Sequence, residues 1–382
     1  MTAAKGPRAV LFLELVGEIF GGGQRSLLEM ISGLDPARWW PIVVCGAPGT
    51  LVDRLTQMGV SVSVVPMPTL AKPWSHAGKA AVAALAALMQ QERVAIAHAN
   101  QPRVAVYALR AAKPLGVPVI FHARVVAAGG LLERWLDQLL ARQCRAIIAI
   151  SEAVASRFDG MRGAARLHVI PNGIDTDAFR PAADRAAQRR AMKLPEDGPL
   201  IGIVGLLEPR KGHVVLFEAF QQVLIRHPKA QLVVAGREAW GATGYEDRLH
   251  QAVRQFQLMD RVRFLGFIDD VSGLLSSLDV CVVPAVQPEG LGRVAVEASA
   301  CGCPVIATPL GGLREVIEPD VTGLLVPPGD AGTLARAILR LLDNPALARA
   351  LTAAARRQAE ERFSRPAMLE RLRAVYDEVT VT

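Results

Sequence analysis

The segment Pro284-Ala285-Val286-Gln287-Pro288-Glu289-Gly290-Leu291-Gly292-Arg293-Val294-Ala295-Val296-Glu297-Ala298 sets two carboxylates eight positions apart around a glycine-rich turn. An apolar run before it and a helical pattern after it predict Glu289 on the loop at a strand's carboxyl end, with Glu297 about a turn and a half into the next helix. Carboxylates so placed are poorly suited to share one bond as a hydrolase pair. They suit a ligand with hydroxyls at two separated places, such as a sugar on one side of a diphosphate and a ribose on the other.

Two further segments could meet such a diphosphate. In Gly205-Leu206-Leu207-Glu208-Pro209-Arg210-Lys211-Gly212, a basic pair follows a strand and a glycine turn at the start of a helix. Two cations there would neutralise a diphosphate while backbone N–H groups orient it; a solvated basic turn has the same pattern. Near the start of the chain, Gly17-Glu18-Ile19-Phe20-Gly21-Gly22-Gly23-Gln24 precedes a helical run. Consecutive glycines admit a ligand to the backbone, and the helix start adds partial positive charge. A flexible strand-to-helix turn reads the same. Neither loop matches Gly-x-Gly-x-x-Gly or a P-loop.

The elements that must position these groups alternate in the manner of a parallel sheet. Strands are expected at residues 9–15, 41–45, 60–65, 94–98 and 117–122, with helices at 24–34, 77–91 and 103–113 between them. After an Arg/Ala-rich, strand-free stretch at 181–195, a second series has strands at 200–204, 230–235, 262–265, 280–284 and 304–308, with helices such as 212–225 and 292–300. The 382 residues exceed the ~250 to 300 at which single cores stop growing. Two doubly wound α/β domains are therefore expected, 1–180 and 181–365, with a hinge near 175–195. Ligands would lie at the strands' carboxyl ends, facing an interdomain cleft. The last helix, 366–379, follows a completed sheet, and its natural use is to cross back and buttress the first domain.

Hydrophobic residues make up 51% and charged residues 21%, which excludes intrinsic disorder. The net charge of +7 is one-sided: residues 1–180 carry 19 basic and 12 acidic side chains, and the remainder is balanced. Few aromatics (5%) and singly dispersed basic residues argue against nucleic acid. The apolar run 80–89 falls short of the ~18 residues a bilayer-spanning helix needs, and Glu14 interrupts the N-terminal run before it makes a signal sequence. With an odd number of cysteines, five, and no Cys-x-x-Cys, neither a disulfide framework nor a zinc site is indicated, so a cytoplasmic location is expected.

Several residues invite over-reading. Asp175-Thr176-Asp177 is formally a metal-binding Asp-x-Asp, but its place after Asn172-Gly173 favours a turn and cap. Asp269-Asp270 reads as a helix cap and Cys301-Gly302-Cys303 as buried packing. His98, His213 and His227 have no partner at ligand spacing, so surface or packing roles are expected of them. The segment 131–145 has apolar residues at helical spacing with Arg134, Arg142 and Arg145 elsewhere on the helix. A core-packing helix with a solvated basic face is its plainer reading, a membrane-surface helix the other.

Glu-x7-Glu, followed by Gly302-x-Pro304-Val305-Ile306-Ala307-Thr308 and Gly311-Gly312-Leu313-Arg314-Glu315-Val316-Ile317, resembles the retaining glycosyltransferases of family 4, which have the GT-B fold. Gly21-Gly22-Gly23, Ser151-Glu152, Val169-Ile170-Pro171-Asn172-Gly173-Ile174-Asp175, Lys211-Gly212 and Gly323-Leu324-Leu325-Val326 agree in order and spacing. The resemblance spans nearly the whole chain, strongly in the second domain and loosely in the first. It implies that Lys211 binds the donor's diphosphate, Glu297 the ribose hydroxyls and Glu289 the transferred sugar. Gly205, Gly290, Leu291 and Gly292 would bring backbone to the phosphates, and the backbone near Phe267 would meet the nucleobase. Gly22 and Gly23 would approach the diphosphate, and His122 would face the sugar. Leu206 stands where the family commonly has an arginine on the diphosphate, and Arg210 is a substitute cation within reach.

The expected protein is thus a retaining, metal-independent glycosyltransferase that uses a nucleoside-diphosphate sugar and no cofactor. Its acceptor would be a glycan or a lipid-linked molecule, in cell-envelope polysaccharide, lipopolysaccharide or glycolipid synthesis. The basic excess on the acceptor half points to a phosphorylated acceptor presented at an anionic inner membrane face, with peripheral docking. Two rivals use the same architecture: a sugar-nucleotide 2-epimerase and a non-catalytic nucleotide-sugar-binding subunit. A Rossmann dehydrogenase fits neither glycine loop.

Overall fold

Runs of four to seven residues form the sheet of the first unit: β1 (Arg8–Glu14), β2 (Trp39–Cys45), β3 (Ser61–Val64), β4 (Val94–Ala99), β5 (Val119–Ala123), β6 (Ala146–Ala149) and β7 (Arg166–Val169). They are apolar in the central strands and mixed in the edge strands β3 and β7. The computed structural model describes residues 6–69, 75–127, 129–163, 165–239 and 241–380. The seven strands pair in parallel in the order β3-β2-β1-β4-β5-β6-β7. Strands β5 and β6 are buried along their whole length, as expected where crossover helices cover both faces of a parallel sheet. The winding direction reverses between β1 and β4, and the loops after them diverge. Sheets of this kind bind ligands at that edge.

The second unit repeats the plan with β8 (Leu200–Val204), β9 (Gln231–Ala235), β10 (Val262–Gly266), β11 (Val280–Val283), β12 (Val305–Ala307) and β13 (Leu324–Leu325), in the order β10-β9-β8-β11-β12-β13. Phe217, Phe220, Leu232 and Val282 lie in its main core. Its reversal falls between β8 and β11, the strands that lead into Gly205–Gly212 and into the Glu289 loop. The two segments singled out for chemistry therefore leave adjacent strands at one edge.

The chain divides into Met1–Gly173 with Arg365–Thr382, and Ile174–Ser364. The first crossing falls earlier than composition suggested, because the Ile174 N–H donates to the Phe363 carbonyl at 2.9 Å and so joins the second unit. The last helix, Arg365–Thr380, belongs to the first unit. Its Met368, Leu372, Val375, Tyr376 and Val379, at helical spacing, enter the same core as Val10, Phe12, Ile96 and Ile120.

Some expectations need correction. The helix expected from residue 24 begins at Gly22, so Gly22 and Gly23 occupy its first turn rather than the loop. The cause is Gln24, whose side-chain oxygen accepts from the Gly21 N–H at 3.2 Å and satisfies a donor that the helix start would otherwise leave bare. Val60 and Val65 lie outside β3. Strands β6, β7 and β13, four, four and two residues long, have no counterpart among the expected strands.

Candidate functional site

In the second unit, Pro209–Lys211 forms a single tight helical turn, and Gly212 then takes φ +76° to start the helix His213–Arg226. A Cβ at Gly212 would lie 1.9 Å from the Pro284 carbonyl oxygen. Only glycine lets the basic turn press against the loop after β11, and the Val286 N–H donates to the Arg210 carbonyl at 2.9 Å across the same seam. The side chains converge there. Lys211 Nζ lies 2.7 Å and Arg210 Nη1 2.9 Å from Glu289 Oε1, while Arg210 Nη2 lies 2.6 Å from Glu208 Oε1.

Glu289 is 7% exposed. Its backbone is pinned from the other side, with its N–H donating to the Leu310 carbonyl at 3.4 Å and its carbonyl accepting from the Gly312 N–H at 2.9 Å. Burial alone would push its carboxyl up, but Lys211 and Arg210 outweigh this and hold it below the usual range. The result is an ionised carboxylate with two cations at one oxygen.

Gly290, Leu291 and Gly292 lead from Glu289 into the helix Arg293–Ala300. Gly292 takes φ +86°, and a Cβ there would lie 2.2 Å from Leu313 Cδ2, which fixes glycine at the helix start. Glu297 is buried and held by Arg293 Nε at 2.6 Å, one helical turn back. Phe267 follows β10, is half-exposed, and has the Arg237 guanidinium 5.0 Å above its ring. It lies on the same carboxyl edge as Gly205, two strands away, or roughly 10 Å across the sheet.

In the first unit, His122 lies on β5, buried, beside His98 on β4: His98 Nε2 is 3.0 Å from His122 Nδ1, and His98 Nδ1 is 2.7 Å from Tyr376 Oη. Arg124 Nη2 is 3.4 Å from His122 Nδ1, and its guanidinium also donates to Asn100 Oδ1 and, at 2.9 Å, to Asn172 Oδ1. Ser26 Oγ donates to the same Asn172 oxygen at 2.8 Å, which ties the helix of Gly22 and Gly23 to this cluster. Burial first, then the Arg124 charge, holds both imidazoles below their ordinary value, His98 at about 3. Both rings are neutral at neutral pH.

Glu14 ends β1 beside the glycine loop, buried. Its Oε1 receives the amides of Gln101 and Gln24, while burial pushes its carboxyl up. Nothing in the local pattern marks Glu14, and the surface or packing role expected of His98 gives way to a hydrogen-bonded place between Tyr376 and His122. The histidine could have been recognised by its place at the end of the strand neighbouring that of His122.

The remaining cautions are resolved by contacts. Asp175 Oδ1 accepts from the Asp177 and Ala178 N–H groups at 3.0 and 3.1 Å, a turn, and Asp270 caps its helix by accepting from Gly273 N–H at 2.7 Å. All five cysteines are free and buried. His213 is buried against Tyr245, and His227 pairs with Asp343. The helix Leu131–Gln143 buries Asp137, Leu140 and Ala141, with Asp137 bidentate to Arg157. Leu131, Leu132 and Trp135 are left 90%, 78% and 62% exposed, against the core-packing expectation for that face.

Residues 184–358 match the family described as glycosyl transferases group 1, and residues 20–178 match glycosyltransferase family 4. The phosphatidyl-myo-inositol mannosyltransferase of Mycobacterium leprae is 31% identical over 294 residues, 74% of this chain and 72% of that protein. The chain belongs to the family 4, group 1 glycosyltransferases, on two doubly wound units of the GT-B fold. It is also 34% identical over 234 residues to a GDP-mannose-dependent monoacylated alpha-(1-6)-phosphatidylinositol monomannoside mannosyltransferase of Corynebacterium glutamicum, covering 58% of this chain and 59% of that one. The alignments span about half the length of several further curated relatives, named as D-inositol 3-phosphate glycosyltransferases. Among solved structures, Anabaena HepE in complex with UDP has the same fold, with a TM-score of 0.85 at 24% identity over 97% of this chain and 100% of that one.

Proposed function

We propose that the protein transfers a sugar from a nucleoside-diphosphate donor to a hydroxyl of a glycan or lipid-linked acceptor, with retention at the anomeric carbon and without a metal ion. The observation that carries this reading is the convergence of Lys211 and Arg210 on Glu289 at the carboxyl end of β11. Two cations at a glycine turn suit a diphosphate. The carboxylate between them suits hydroxyls of the sugar, and Glu297 those of the ribose. The Corynebacterium relative's name specifies a GDP-mannose donor, which makes a nucleoside-diphosphate hexose the reading for this chain.

Departure of the leaving group develops negative charge on a nucleoside diphosphate. Lys211 and Arg210, together with the backbone N–H groups of Leu291 and Gly292 at a helix start, would stabilise that charge in place of a divalent cation. Arg210 then supplies the cation missing at Leu206. Glu289, already engaged by both cations, is a poor nucleophile. Retention would therefore proceed on one face of the sugar, with the departing phosphate taking the acceptor's proton.

The relatives named for phosphatidylinositol mannosides favour an acceptor with a phosphate and a lipid. Exposed Leu131, Leu132 and Trp135, on a helix that also exposes Arg134 and Arg142, suit docking on an anionic membrane face. No helix among the described residues is long and apolar enough to cross a membrane. The test is incubation with nucleoside-diphosphate sugars and lipid acceptors in the presence and absence of a chelator, with the product's anomeric configuration read by NMR. Transfer that collapses on chelation, or inversion at the anomeric carbon, would overturn the corresponding half of the proposal.

A further inference from the structure

We infer that Tyr376 and His98 are positioning residues that fix His122 in one neutral tautomer, with the proton on Nε2, so that this ring presents a hydrogen-bond donor rather than a lone pair. The donors around the ring fix this tautomer. A guanidinium has donors only, so Arg124 Nη2, 3.4 Å from His122 Nδ1, requires a lone pair on that nitrogen. His98 Nε2 approaches the same Nδ1 at 3.0 Å and must also donate to it. The other ring nitrogen of His98 is then bare, and it accepts the Tyr376 hydroxyl proton at 2.7 Å. The opposite arrangement would set the Arg124 N–H against an N–H and leave the Tyr376 hydroxyl proton without an acceptor.

The relay is sheltered along its length. Tyr376 and His98 are fully buried, Phe12 stacks on His98 at 5.2 Å, and Trp39 meets the Tyr376 ring edge-on. Burial keeps the Tyr376 phenol protonated well above its ordinary range, and neither imidazole charges at neutral pH. Every polar atom of the relay is thus used except the last: His122 Nε2 is buried and has no hydrogen-bond partner among the described residues. A buried N–H with no partner is costly in a folded chain. What it can take up is an oxygen lone pair, such as a hydroxyl of the transferred sugar. That last step rests on the proposed function, but the tautomer does not.

Tyr376 lies on the helix Arg365–Thr380, which follows the second unit in sequence and belongs to the first. A group at the very end of the sequence therefore sets the proton position on a strand near residue 122, through one intervening ring.

The test is long-range 1H–15N correlation NMR on the full chain with 15N-labelled histidine at neutral pH, combined with steady-state transfer rates. Wild-type His98 and His122 should both be neutral with the proton on Nε2. Tyr376→Phe should let His98 and then His122 populate the other tautomer, and should lower kcat by about tenfold, the scale of positioning losses in outer shells, with donor KM within about twofold. His98→Gln, whose amide can still donate to His122, should retain most of the rate that His98→Leu loses. A wild-type His122 with its proton on Nδ1, or charged, overturns the inference whether or not the variants fold. So does a Tyr376→Phe protein whose tautomers and kcat are unchanged. If the relay is as described but no nucleotide sugar is turned over, it is the proposed function that fails.

Discussion

Lys211 Nζ sits 2.7 Å from Glu289 Oε1, the same oxygen that Arg210 Nη1 reaches at 2.9 Å. With Glu208 on the other side of Arg210, the cluster balances two cations against two carboxylates, and both cations reach the edge where a diphosphate would have to bind. Lys211→Ala should therefore weaken binding of a nucleoside diphosphate by about 10- to 100-fold, the value of one charge-assisted hydrogen bond. Arg210→Ala should do so by a comparable factor. Calorimetric titration checks both. Unchanged affinity in Arg210→Ala would remove the claim that it replaces the cation missing at Leu206.

Replacing Glu289 with Gln keeps its shape and its seat between Leu310 and Gly312 but removes the charge that both cations address. The fold should persist by circular dichroism while transfer falls by about 100- to 1,000-fold, as when a single preorganised electrostatic contact is lost. Wild-type turnover in this variant would remove Glu289 from the site.

The neutral histidine pair gives a pH signature in stability. His98 is held at about 3 against an ordinary value of 6.5, so its contribution is fully present above pH 6.5. It is lost as pH falls, because the unfolded chain takes up a proton that the folded ring refuses. Between pH 6.5 and 5 this amounts to about 2 kcal/mol. Urea unfolding of His98→Gln should lack that increment, so the gap between wild type and variant should narrow by about this amount over the interval. A gap independent of pH would show that His98 charges in the folded state.

On the helix Leu131–Gln143, the double change Leu132→Ser with Trp135→Ser should reduce binding to vesicles rich in anionic lipid by about tenfold or more, since each apolar side chain is worth on the order of 1.5 kcal/mol when buried. Sedimentation with vesicles at low and moderate salt measures this. Equal binding of the double variant, or indifference of the wild type to lipid charge, would reject the docking face while leaving the sugar transfer untouched.

Much of the architecture was legible because it is written locally. Val-rich runs such as 280–283 and the helical pattern after Gly292 predict where Glu289 must stand, and the structure adds only that Lys211 and Arg210 meet it. The relay from Tyr376 to His122 was not legible. Its members come from β4, β5 and the last helix, and no spacing or period links them; only the parallel register sets His98 beside the strand of His122. Gly22 and Gly23 looked like loop residues because their composition resists helix, and it took the Gln24 side chain to extend the helix backwards over them. The segment 131–145 showed the helical period, but period alone does not say whether a neighbour covers a given apolar face, and Trp135 proved to lie outside the core.

The central claim is tested most directly by one measurement: mass spectrometry of the reaction of the full chain with a nucleoside-diphosphate hexose and a phosphorylated lipid acceptor. The account predicts equal amounts of nucleoside diphosphate and hexosylated lipid, both dependent on Glu289. An epimerised nucleotide sugar formed without any acceptor, or a donor that binds and is never turned over, would contradict it.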